Sequence, residues 1–283
     1  MNTKNFKFTN LIFYIIITCL IFIISTNTPQ LLDKTNLPND IPQLFSGLLF
    51  TLLTISFILF IYKQTNKNII TDIGLLKKAN RPLIITLVLP IILFMLSILL
   101  GFATGTLHNL SLSSDGSAWY AFLLNILVAF LYEAFPEELL MRGVIFSELR
   151  KKLSFFSTLF LLPFIFTIIG FLSHLIGTLI TTGNLTFPPL VLSIQLYIFG
   201  ITLQLYREYS NSIWPSVLFH LICLELTRYV FNQQNNPIIV FNESFTGSML
   251  LIGLFLTMYL GSIITLSILL IFKRKNKKCP FHK

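Results

Sequence analysis

The sequence predicts an all-α, polytopic membrane protein of about eight transmembrane helices with both termini on the cytoplasmic side. Three observations carry that prediction: the composition, the recurrence of apolar runs near 20 residues, and the placement of Lys and Arg. Of 283 residues, 54% are hydrophobic and 11% charged, with a mean hydropathy of +0.80. A soluble domain carries about 25% charged residues. At about 1.5 Å of rise per residue, roughly 20 apolar residues cross the hydrocarbon of a bilayer.

The first run, 10–26, follows "MNTKNFK" in the manner of a signal peptide. No small-residue cleavage site follows in "IISTNTPQLLDK", so an anchor is expected. Runs at 43–62 and 83–104 come next. The fourth, 119–148, begins with the uncharged "SAWYAFLLNILVAFL" and passes directly into "YEAFPEELLMRG", Tyr132 to Gly143. Runs at 160–182, 187–206, 210–231 and 246–272 complete the set. The connectors "NTPQLLDKTNLPNDIPQ" and "NQQNNPIIVFNESF" are polar and rich in Pro or Asn, as exposed loops are. With no internal repeat and no soluble segment, the chain reads as one integral membrane domain, 1–283. Its chemistry-bearing core is 118–228, with flanking spans in 1–117 and 232–283.

Cytoplasmic segments retain Lys and Arg. With the N-terminus inside, eighteen of the 20 Lys and Arg residues fall in inner segments, leaving Lys34 and Arg228. Topology, together with attraction of anionic headgroups to the "KRKNKK" tail, therefore accounts for the net charge of +9. The partner this implies is the lipid bilayer, in a bacterial plasma membrane; no nucleic acid is called for. Cys19 and Cys223 sit in spans and Cys279 in the tail, which does not make a disulfide framework. The terminal "CPFHK" has too few ligands for zinc, and its Cys is not placed as a prenylation box requires.

An ionisable group at bilayer depth costs about 2.5–3.5 kcal/mol even on a lenient scale, so each needs a partner or a task. Those inside the spans are Glu133, Glu137, Glu138 and Arg142 on the fourth, His174 on the fifth, and His220 and Glu225 on the seventh. Arg228 lies nearer an outer end and is expected to snorkel. Counting about 11 residues back from the basic end at Glu148 to Lys152, about 11 on from Pro163 and ten on from Ser210 places Glu137, His174 and His220 at one level, roughly 15–17 Å deep. Glu138 and Arg142 are i and i+4 and pair on one face, while Glu137, turned about 100° away, stays available. Pro136 removes a backbone donor and is expected to kink or widen the helix. Glu133, one turn before Glu137, is a like-charge neighbour.

A carboxylate beside two imidazoles in a dry cavity suits water activation for amide hydrolysis. Glu137 would take the proton, His174 would orient the water, and His220 would stabilise the oxyanion. Two His and one Glu are also a legitimate zinc set. No HExxH helix is present, however, and the arrangement needs no metal, so no cofactor is expected.

"EELLMRG" with Glu137, Glu138 and Arg142, "GFLSHL" with His174, and "SIWPSVLFHLICL" with His220 resemble the three motifs of the CPBP family. These are the CAAX protease and bacteriocin-processing membrane proteins, also called Abi. The resemblance implies a glutamate-dependent intramembrane endopeptidase: Glu137 as general base, Glu138 and Arg142 bracing the site, His174 helping to bind water, His220 at the oxyanion site. It also implies a peptide or membrane-protein substrate, in peptide maturation or bacteriocin immunity, rather than a eukaryotic-style prenylated tail. Two positions depart from the family's pattern. FxxxH has Gly170 four residues before His174, and HxxxN has Leu224 in the asparagine's place, removing a donor. Thr227, on roughly the same face as His220, is a candidate substitute; Glu225 would repel an oxyanion if ionised. Leu224 favours an alternative reading, a non-catalytic member of the same fold serving as immunity factor or signalling scaffold. The absence of repeats disfavours a transporter.

Overall fold

The long apolar runs all become helices, and most extend several residues past the expected bounds. A computed structural model describes residues 8–32, 40–63, 69–75, 80–231, 237–244 and 249–278. Lys4, Lys7, Lys34, Lys67, Lys77, Lys78, Cys279, the "CPFHK" tail and parts of both long connectors lie outside the described residues. We number the helices α1 (Phe8–Leu32), α2 (Asp40–Lys63), α3 (Ile69–Ile73), α4 (Arg81–Ala103), α5 (Gly116–Leu149), α6 (Phe155–Thr182), α7 (Leu190–Ser210), α8 (residues 214–231) and α9 (Met249–Lys278).

Among the described residues seven helices are long and apolar enough to span a bilayer: α1, α2, α4, α5, α6, α7 and α9. The eighth expected span, α8, is helical but is not one of the seven. It carries His220, Glu225 and Arg228, and it packs against α4, α5 and α7. The polar load that lowers its apolarity is the same load that gives it partners inside the bundle.

Helix ends follow local chemistry. Asn80, Asp115 and Ser154 cap α4, α5 and α6 by accepting from Leu83 N (3.0 Å), Ser117 N (2.8 Å) and Ser157 N (3.2 Å). Hydrogen bonds from the Ser117 hydroxyl and N–H hold the exposed Asp115 carboxyl below its usual range. Asn211, at φ +62°, ends α7 in the left-handed region that Asn tolerates.

The widening expected at Pro136 occurs on both sides of it. Residues 130–134 and 139–145 form π turns, the first closed by Phe135 N–H to Phe130 O. Such wide turns arise where the i→i−4 ladder is interrupted, as it is at proline. A third π stretch, Leu226–Phe231, lies on α8.

Two short elements were not foreseen. β1 (Leu107–Leu112) pairs antiparallel with β2 (Ile239–Glu243), Leu107 opposite Glu243 and Leu112 opposite Ile239, with an irregularity between His108 and Ser111. α3 is held against the α7–α8 corner by backbone acceptors. Gly74 O takes Ile213 N and Ser212 Oγ, both at 3.2 Å, and Leu75 O takes Trp214 Nε1 at 2.6 Å. Gly74 has φ +79°, and a Cβ there would meet Arg207 Nη2 at 2.9 Å, so both backbone and space require glycine.

Arg207, placed in an inner segment by the sequence, is buried rather than solvated. It is 4% exposed, and its Nε and Nη2 donate to Arg142 O (3.0 Å) and Ile73 O (3.2 Å). A guanidinium buried so deeply persists because backbone carbonyls replace its hydration. Other residues assigned to the inner side do converge: Arg150 Nε on Glu208 Oε1 at 3.2 Å, Lys273 Nζ on Tyr209 O at 2.6 Å, and Arg274 over the Phe155 ring.

Candidate active site

The site is built around α5. One turn carries both glutamates, and the helix phase separates them. Glu138 is fully buried with Arg142, whose Nη1 lies 3.1 Å from Glu138 Oε1. Arg142 Nη2 donates to Gly200 O at 3.2 Å, and its guanidinium lies over Phe166, 4.9 Å from the ring centroid. At the same residue α6 and α7 approach closely. Gly200 permits it, since a Cβ there would meet Pro163 Cβ at 2.9 Å. The pair thus ties α5, α6 and α7 together, and its charges compensate each other.

Glu138 has a second partner. His220 Nδ1 lies 3.2 Å from the same Oε1. A carboxylate only accepts, so Nδ1 carries the proton and Nε2 is turned away from Glu138. Phe199 packs edge-on against the imidazole at a centroid distance of 4.8 Å, which fixes the ring from a second side.

Glu137 takes no part in that pair. It lines a cavity of about 300 Å³ together with His220, Glu133, Thr227 and Leu224. The walls come from α1 (Phe22, Thr26), α6 (Phe166, Gly170, Ser173), α7 (Leu192, Gln195, Leu196, Phe199) and α9 (Phe255, Tyr259). Acid and imidazole therefore share one mostly apolar space, where electrostatic interactions are stronger than in bulk water.

His174 is not brought to this cavity. Its side chain is exposed on α6, whereas Phe166, Gly170 and Ser173 face inward. The expectation rested on depth along the helix, but the neighbouring position is rotated by about 100°, and Ser173 holds the inward face. Four residues after Phe166 stands Gly170, and both line the cavity. In register with the cavity, FxxxH is thus met by Phe166 and Gly170, with glycine at the histidine's place. A Cβ at Gly170 would meet only Leu196 Cδ1, at an ordinary 3.5 Å.

The auxiliary candidates are placed as follows. Glu133 lines the cavity and is paired with Arg228, which therefore has an acidic partner rather than snorkelling alone. Thr227 lines it too, but its hydroxyl donates to Cys223 O at 2.8 Å and is committed there. Glu225 accepts from Asn125 Nδ2 at 2.7 Å and does not line the cavity. Among the described residues no three His, Cys, Asp or Glu side chains are grouped as metal ligands.

Several lining residues carry no sequence signal. Gln195, Tyr259 and Ser173 are uncharged residues in apolar spans, and Tyr259 lies beyond the motif-bearing region. Thr26 and Ser173 join α1 to α6 by a hydroxyl–hydroxyl hydrogen bond.

The fold and site define a class: a helical, polytopic membrane protein with a buried carboxylate and imidazole facing one cavity. Residues 117–224 match the Rce1-like family model, type II CAAX prenyl endopeptidase Rce1-like, over the region whose motifs resemble the CPBP family. The match spans Glu137 to Leu224 and stops before Thr227 and Tyr259. No match is found among curated proteins or among solved structures.

Proposed function

We propose that the protein is an intramembrane endopeptidase that hydrolyses an amide bond of a membrane-associated peptide or protein by glutamate-activated water. The observation that carries this reading is the common cavity of Glu137 and His220, with Glu138 diverted to Arg142 and His220. In this mechanism Glu137 removes a proton from water as the water oxygen attacks the carbonyl carbon. His220, its Nδ1–H held by Glu138, offers Nε2 to orient that water. The apolar walls exclude bulk water and receive an apolar stretch of substrate. No cofactor is required, and the termini lie in the cytoplasm of a bacterial cell. Peptide maturation or bacteriocin immunity is the physiological setting we propose.

The test is cleavage in proteoliposomes with a library of membrane-inserting peptides. Wild type is expected to cleave, and Glu137→Gln to lose activity by at least a hundredfold while inserting normally. Undiminished cleavage by Glu137→Gln would overturn the reading.

A second reading is favoured by Gly170 and Leu224, which present no donor where the family pattern has His and Asn, and by the outward His174. In it the same cavity binds a peptide segment without cutting it. Peptide capture that is unchanged by Glu137→Gln, in a wild type that cleaves nothing, would support this second reading.

A further inference from the structure

We infer that the Tyr259 hydroxyl supplies the oxyanion donor that Leu224 cannot, making Tyr259 a catalytic residue contributed by α9. The inference rests on the hydrolytic reading above and deepens it. A tetrahedral intermediate needs a hydrogen-bond donor at its oxygen, and removing one such donor typically costs about 10²–10³ in rate. Position 224 offers none. His220 is already engaged: its Nδ1 is held by Glu138, and in the hydrolytic reading Nε2 orients the water.

The remaining hydroxyls can be followed proton by proton among the described lining residues. Thr26 Oγ1 gives its proton to Phe22 O at 2.7 Å, so Ser173 must give its own to Thr26. Thr227 Oγ1 gives its proton to Cys223 O. The hydroxyl left is that of Tyr259, which lines the cavity with Cys223 and Gln195. Sulfur is a weak acceptor, so a thiol neighbour leaves the phenol proton available. Tyr259 is also held rigidly, 7% exposed, with Phe255, Phe199 and Phe219 rings at 5.2, 5.8 and 6.1 Å. Phe199 is the ring that also packs on His220, so one aromatic contact spaces the phenol from the imidazole.

The step then balances. Water bonds through oxygen to the carbonyl carbon, its proton passes to Glu137, and the C=O π pair moves onto oxygen. Tyr259 O–H donates to that oxyanion. Collapse breaks the C–N bond, and the leaving amine takes the proton from Glu137.

The experiment compares wild type, Tyr259→Phe, Leu224→Asn, their double variant and Glu137→Gln in proteoliposomes, on a peptide that wild type cleaves. Tyr259→Phe is expected to lower kcat about 10²–10³-fold at unchanged KM. Leu224→Asn is expected to restore at least tenfold in the Tyr259→Phe background. Wild-type kcat in Tyr259→Phe, or a loss that Leu224→Asn does not relieve, would overturn the inference while leaving Glu137 as base. Cleavage that survives Glu137→Gln, or a wild type that cleaves nothing, would overturn the hydrolytic reading and this inference with it.

Discussion

Two histidines expected at one depth are treated oppositely by the structure. His220 on α8 is 3% exposed, bonded to Glu138 and turned to the cavity, while His174 on α6 stands exposed with Ser173 holding the inward face. Depth is a matter of residue count; face is a matter of phase, and one residue changes phase by about 100°. What separates the two is a partner. His220 meets a buried carboxylate that needs a second donor, whereas α6 approaches the cavity through Gly170 and Ser173 and brings no charge with it.

That contrast can be tested from the stability side. Arg142→Met leaves Glu138 buried without its counter-charge and should destabilise the fold by about 3–5 kcal/mol, read as thermal unfolding in detergent. Little change would mean that the two face-sharing residues do not brace the site. Gly143→Ala is next. Its Cβ would come within 2.6 Å of Ile73 Cγ2, so α3 must shift, at a cost of about 1–3 kcal/mol in the same assay. The Glu133 and Arg228 pair is partly solvent-exposed, and a double-mutant cycle with Glu133→Gln and Arg228→Gln should return at most about 1 kcal/mol of coupling. His174→Leu should move stability by no more than about 0.5 kcal/mol. A large loss there would show that His174 has a partner after all.

The eight helices were legible because the hydrophobic effect writes them as long apolar runs, and the α5 pair because i and i+4 on one helix needs no tertiary knowledge. The wide turns beside Pro136 were legible for the same local reason. β1 and β2 were not, because five- and six-residue strands more than 120 residues apart leave no periodic signal. Arg207 read as an inner-loop cation, since nothing local announces that Arg142 O and Ile73 O will converge on it. Glu133 and Arg228 were each visible, but their pairing across 95 residues was not. Tyr259 and Gln195 escaped because neither is charged, and among apolar helices only packing decides which uncharged polar group meets the cavity.

The central claim is that the cavity's chemistry belongs to Glu137 and His220 and not to His174. It is tested most directly by measuring peptide cleavage in proteoliposomes for His220→Ala and His174→Ala side by side. The account predicts a loss of about 10²–10⁴-fold for His220→Ala and less than threefold for His174→Ala. An equal loss in His174→Ala, with both variants folded, would contradict it.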